Sequence, residues 1–278
     1  MLKIKLKSGG HIIEAGRSFP YKLISVSGLD GCDFDIGLSS SALYDGGYIT
    51  KSRMQPREID ISFDMTNDEG LRRQMIKLFS PHSEVELTVT RFDTQRSIRG
   101  IISECGIKQS TLFHLQTVSL TLLCPDPYFC DCSGSGISFS EDTGLLHLVC
   151  PLPQNGFTVG KRVERDRITV NNSGDASCGF DLSISFRDPV QSVTVTNTST
   201  DEFVRLDHDF STGDLLRLST RPGKKGVWLN EEKCLQYLDR RSVFFPLRQG
   251  ETGVRISGGN GGIFFSASLS FEQLYLGV

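Results

Sequence analysis

Four separated runs of this chain alternate apolar and polar residues with a period of two, a pattern met by strands that bury one face of a sheet. Leu2, Ile4 and Leu6 form the first, and Ile59, Ile61 and Phe63 the second. Val85, Leu87 and Val89, then Val118, Leu120 and Leu122, complete the set. Turn formers separate the runs: Gly28-Leu29-Asp30-Gly31, Asp45-Gly46-Gly47, and a link at Asp93-Thr94-Gln95. One segment breaks the period. Thr66 and Glu69 have capping-box spacing, Leu71, Met75, Leu78 and Phe79 recur helically, and Pro81 stops the run. That spacing predicts one helix of about three turns lying on a sheet.

The fourth run ends abruptly at Pro125-Asp126-Pro127-Tyr128-Phe129. Proline cannot donate to a ladder, so the chain is forced out of the sheet, and the two aromatics can cover the open end of its core. Glycine and serine then dominate up to Gly136, as in a linker. A chain of 278 residues also exceeds one ordinary core. Two domains follow, residues 1–132 and 133–278. In the second, apolar runs recur every ten residues or so, at 168–170, 182–186, 193–196, 215–220, 227–229, 254–256 and 264–276, without a helical pattern. This predicts an antiparallel sandwich. The fold class expected is mainly all-β with one short helix.

A net charge of -3 with 23% charged residues argues against disorder and against a dedicated nucleic-acid surface. Arg53, Arg57, Arg72, Arg73, Lys77, Arg91, Arg96 and Arg99 are interspersed with Asp60, Asp64, Asp68, Glu69, Glu84, Glu86 and Asp93, a mixture suited to subunit pairing. No stretch approaches the roughly 20 apolar residues of a membrane span. The first residues alternate lysine with Leu2, Ile4 and Leu6 and read as a strand, not a leader, so folding in a cytoplasm is expected. Of the eight cysteines only Cys124, Cys130 and Cys132 lie close together, and a single residue between the last two is too short for zinc-ligand spacing. Reduced, buried thiols and no bound metal are expected.

No nucleophile elbow, zinc-protease motif, phosphate loop or dinucleotide fingerprint is present. Gly258-Gly259-Asn260-Gly261-Gly262 has no following helix and reads as a hairpin turn. Asp207 with Asp209, and Glu231 with Glu232, fit a solvated edge, and the histidines at 11, 82, 114, 147 and 208 are scattered. No catalytic residue or cofactor site is expected.

Several landmarks then occur in a telling order: the 26–31 turn Val-Ser-Gly-Leu-Asp-Gly, Asp45-Gly46-Gly47, Pro56-Arg57-Glu58-Ile59, Leu71-Arg72-Arg73 ahead of Leu78-Phe79, and the run from Thr121 to Phe129. Weaker echoes lie at 170–174, 223–227 and 242–250. In this order the chain resembles the distal tail proteins of long-tailed, non-contractile bacteriophages and their prophages. The resemblance implies a homohexameric ring at the tip of the tail tube. The tube protein would bind one side and the tail-associated fibre or lysin protein the other. It further implies a ring-forming first domain and a galectin-like second domain that sometimes docks receptor-binding proteins. The place of action would be the virion tail tip, after assembly in the host cytoplasm.

Two candidate surfaces follow. The segment from Leu38 to Pro56 is polar and glycine-bearing, with Leu43, Tyr44, Tyr48, Ile49 and Met54 as its apolar residues. It is expected to form a hairpin arm, Leu43 to Ile49, reaching a neighbouring subunit, with its tip at Asp45-Gly46-Gly47; a surface loop is the plainer reading. Trp228 and Glu231 give the Trp-x-x-Glu fragment of a galectin saccharide site, but the companion His-x-Asn-x-Arg strand is missing, His208 standing before Asp209 and Phe210. Trp228 also alternates with Val227 and Leu229 as a partly covered strand residue would. The alternative function is therefore an adhesion module for host cell-wall saccharide.

Overall fold

The computed structural model describes residues 2–41, 43, 45–78, 83–108, 115–131, 135–138, 140–144, 160–164, 166–259 and 265–278. The chain divides into two compact units, Met1–Cys132 with Leu274–Val278, and Ser133–Gln273. The first contains β1 (Leu2–Ser8), β2 (His11–Ala15), β3 (Tyr21–Ser27), β4 (Phe34–Ser40), β5 (Gly47–Met54) and β6 (Arg57–Met65). Then come α1 (Glu69–Leu78), β7 (Glu84–Arg91), β8 (Thr94–Lys108), β9 (Gln116–Cys124) and β10 (Phe129–Asp131). Seven of these strands lie in one antiparallel path, β2-β1-β7-β8-β9-β6-β3. The four alternating runs thus become β1, β6, β7 and β9. Ile4 faces Val89 and Leu6 faces Leu87; Ile59, Ile61 and Phe63 face Leu122, Leu120 and Val118. These side chains are at most 2% exposed, so one face of the sheet is the core of the unit. Gly16, just past edge strand β2, makes an isolated parallel bridge to Lys22 of the other edge strand, β3.

Helix α1 lays Met75 and Leu78 into that core. Its cap is Asp68 and not the Thr66 that the spacing suggested: the Asp68 carboxylate accepts the Leu71 amide at 2.9 Å. Phe79 and Pro81 lie outside the described residues. The β7–β8 reversal falls one step earlier than expected. Arg91 pairs with Thr94, leaving only Phe92 and Asp93 in the turn, with Phe92 at a φ of 54°.

The second unit contains β11 (Ser135–Ser138), β12 (Ser140–Gly144), β13 (Gly160–Glu164), β14 (Arg167–Asn172), β15 (Phe180–Phe186) and β16 (Val190–Asn197). It continues with β17 (Phe203–Phe210), β18 (Leu215–Ser219), β19 (Gly226–Leu229), β20 (Glu232–Lys233), β21 (Gly250–Gly258) and β22 (Phe265–Phe271). One sheet runs β11-β22-β15-β18-β19-β20 and another β14-β21-β16-β17. Phe186 of the first stacks on Phe210 of the second with centroids 4.5 Å apart, joining two inner faces in a shared core. Burial pushes the Cys178 thiol there up to about 11, as it pushes Cys124 in the first unit to about 12. Neither ionises near neutrality.

Residues 264–276, expected as one strand of the second domain, are divided. Strand β22 ends at Phe271, and Leu274–Tyr275 form β23 in the first unit, Tyr275 facing Phe129 and Leu274 facing Cys130 of β10. Strand β10 in turn pairs with β8. The second unit is therefore an insertion between two neighbouring antiparallel strands of the first.

Arg57 secures this return. It is 4% exposed, and each of its N–H groups has a partner. Nε donates to Pro127 O at 2.8 Å, and Nη1 to Gly28 O at 2.8 Å and Leu29 O at 3.2 Å. Nη2 donates to Leu276 O at 2.6 Å and to Cys32 Sγ at 2.5 Å. The guanidinium also stacks over Phe129, 4.9 Å from its centroid. Arg96 repeats the theme nearby, lying 3.6 Å from the Tyr275 ring centroid and donating to Gly277 O. Replacing the buried Arg57 by Ala takes the donor from four carbonyls, that of Leu29 fully buried, and is expected to cost about 3 kcal/mol or more. Denaturant unfolding measures this, and Arg57→Lys, with three donors, should recover only part of the loss.

Candidate assembly surface

Among the described residues, strands β4 and β5 pair only with each other, from Phe34 opposite Met54 to Ser40 opposite Gly47, as a two-stranded sheet separate from the large one. The Gln55 amide closes its base on Asp33 O at 2.9 Å. Because opposed residues share a face, Phe34, Ile36 and Leu38 of β4 line up with Met54, Ser52 and Ile49 of β5. Asp35 and Gly37 stand on the other face with Arg53 and Lys51. The hairpin is thus amphipathic. Its polar face is internally paired, Asp35 accepting from Lys51 Nζ at 2.5 Å and Arg53 Nε at 3.0 Å. Its apolar face is bare: Phe34, Ile36, Leu38 and Ile49 are 53–72% exposed. A lone two-stranded hairpin is marginal in water, and one that leaves its apolar side uncovered gains little from burial.

The expected arm residues fall on this hairpin as follows. Tyr48 and Ile49 lie in β5, Leu43 is exposed in the loop, and Asp45 and Gly46 complete the reversal, Gly46 at a φ of 95°. Gly47 already pairs with Ser40, and Tyr44 lies outside the described residues. An arm counted from Leu38 omits Phe34 and Ile36. Their period of two with Leu38 was the signal that could have found them.

In the second unit Trp228 and Glu231 share a hairpin but not a position. Asn230 and Glu231, at φ of 49° and 73°, make the two-residue turn between β19 and β20. Directly opposite Trp228 stands Lys233, while Glu231 sits at the apex. Asp214 braces the turn by accepting from Asn230 Nδ2 at 2.8 Å, which with the Ser211 amide holds its carboxyl below the usual range. His208 belongs to the other sheet and stacks on Tyr237 at 4.0 Å. Asp207 bonds Arg205 at 2.7 Å.

On the outward face of the large sheet a shallow groove of about 460 Å³ is lined by Ser25, Ser27, Asp60, Ser62, Glu104 and Thr121, among others. Asp60 is committed within it, accepting from Ser27 and Thr121. Among the described residues no group of three or more His, Cys, Asp or Glu side chains is placed to hold a metal ion; Cys132 lies outside them.

The Asp35 cluster makes a pH prediction. The Lys51 hydrogen bond first, then that of Arg53, holds the Asp35 carboxyl below its ordinary value. Its contribution to the hairpin is therefore present above the unfolded carboxylate range and lost as pH falls through the lower folded value. Carbon-detected NMR titration should find Asp35 protonating late on acidification, and Lys51→Ala should raise its midpoint.

Comparisons with known proteins agree with this architecture. Residues 173–268 match the SPP1 Dit family model, described as the siphovirus-type tail component, C-terminal domain. The SPP1 Dit protein, described as a paradigm of the hub adsorption apparatus in phages infecting Gram-positive bacteria, has a similar fold. Its TM-score is 0.69 at 15% identity, over 98% of this chain and 99% of that one. Chains of the phage p2 baseplate in its activated conformation also superpose over 100% of both chains. The form with strontium gives a TM-score of 0.53 at 9% identity and that with calcium 0.51 at 10%. No curated protein matches the chain.

Proposed function

We propose that this chain is a structural, non-catalytic distal tail protein, the baseplate hub of a long-tailed phage or prophage. In this reading its first unit forms a homohexameric ring between the tail tube and the tail-associated fibre or lysin protein. The second unit, galectin-like in the same reading, is available to receptor-binding proteins. Support comes from the tail-component match over residues 173–268 and from the fold shared end to end with SPP1 Dit.

The observation that carries the assembly is the bare apolar face of the β4–β5 hairpin. A closed ring uses head-to-tail contacts, in which one surface of a subunit meets a different surface of the next. A projecting amphipathic hairpin supplies one such surface, and covering Phe34, Ile36, Leu38 and Ile49 would gain roughly 1–2 kcal/mol per side chain. The arm residues Leu43 to Ile49 would extend the contact.

Light scattering of the purified protein is expected to give the mass of a closed oligomer, and negative-stain images a ring with a central hole. Replacing Phe34, Ile36 and Leu38 together by Ser should leave folded monomers. An unchanged oligomer in that variant would remove the hairpin from the interface.

A further inference from the structure

Strands β7 and β8 are joined by Phe92 and Asp93 alone, and Phe92 takes a φ of 54°. Two-residue turns place Gly, Asn or Asp where φ is positive, because a bulky side chain there is strained. Among the described residues the other non-glycine positions with positive φ carry Asp201, Asn230 and Glu231, all polar. Phe92 is also 78% exposed, so burial within its own subunit does not offset the strain.

The turn is braced. Arg91 pairs with Leu2 on one side and Thr94 on the other, and its Nη1 donates at 3.1 Å to both Asp30 Oδ2 and Val278 O. The fold thus holds one large apolar side chain at a fixed, strained apex in water, an arrangement accounted for by burial against another molecule.

The bare face of the β4–β5 hairpin is a matching surface. Asp30, which Arg91 holds, lies three residues before the root of that hairpin at Asp33, yet Phe34 remains 56% exposed. The turn and the hairpin therefore do not cover each other within one copy. Charge agrees with a contact between copies. Lys51 and Arg53 share the single carboxylate of Asp35, which leaves one positive charge over. Asp93 is exposed and has no ion-pair partner among the described residues. The outer edge of β5 is unpaired among those residues, so its cations can reach around it. We propose that Phe92 of one copy seats on the bare β4–β5 face of the next, with Asp93 meeting Lys51 and Arg53. This rests on the ring reading above and names the second of the two different surfaces that a head-to-tail contact requires.

Sedimentation of the full-length protein over a concentration series is expected to show Phe92→Asn associating at least about tenfold more weakly than the parent, as for an aromatic anchor removed from its seat. Diluted until both are monomeric, Phe92→Asn should melt no lower than the parent, because asparagine tolerates a positive φ. A benzophenone side chain at position 92 should photocross-link copies within residues 34–54. The proposal is overturned if Phe92→Asn associates as the parent does, which would give the seat to another tail protein, or if it melts lower. Cross-links between copies that fall outside residues 34–54 also overturn it. The ring reading survives each of these results, whereas a parent that stays monomeric at every concentration overturns that reading and the proposal together.

Discussion

A single buried guanidinium organises the first unit. Arg57 brings a positive charge into the interior without a carboxylate among its hydrogen-bond partners, and the surrounding main chain compensates it with the carbonyls of Gly28, Leu29, Pro127 and Leu276. A planar fork with five donors can collect groups from distant stretches of chain in a way that a lysine cannot. Here it gathers the turn after β3, the proline-rich exit after β9 and the returning tail. Gly28 takes part sterically as well: at a φ of 81°, a Cβ there would collide with Glu58 O. The turn can approach β6, and so present its carbonyls to Arg57, only with glycine at that position.

That convergence explains why separate parts of the sequence were informative in combination. The turn at 26–31, the segment Pro56-Arg57-Glu58-Ile59 and the run ending in Phe129 were each weak as isolated landmarks. In the folded chain they surround one side chain, so they are parts of one structural requirement. The prolines do end β9, but the chain rejoins the same sheet at once, Phe129 opening β10 beside β8. Phe129 then becomes wholly buried beneath Arg57, and the residues after it form another strand instead of passing straight into a linker.

Legibility elsewhere followed the range of the forces involved. The four period-two runs identified the buried strands because burial acts residue by residue, and the helix was visible for the same reason. Its cap was misassigned to Thr66 because Glu69 completes a capping-box spacing there and Asp68 has Leu71 in that place, whereas which oxygen reaches the Leu71 amide depends on geometry. The hairpin was visible through its turn residues, and Phe34 and Ile36 through their alternation with Asp35 and Gly37; that this face stays uncovered was not, because it depends on β4 pairing with β5 and not with the large sheet. The same holds for Trp228, whose neighbour across the turn is Lys233 and not the nearer-seeming Glu231.

Least visible was the insertion, because pairing of residues 274–275 with 129–130 is non-local in the extreme. It has a consequence for folding. Strands β10 and β23 can meet only after the whole second unit has been synthesised, so the tail carbonyl that completes the Arg57 site arrives last. Closing so long a loop as an unfolded chain would carry a large entropic cost. If the second unit folds first, the ends to be joined are instead those of a compact body whose flanking strands emerge as neighbours. In that order of formation the paired ends of the inserted unit bring β10 and β23 together, and the Leu276 carbonyl then completes the set around Arg57.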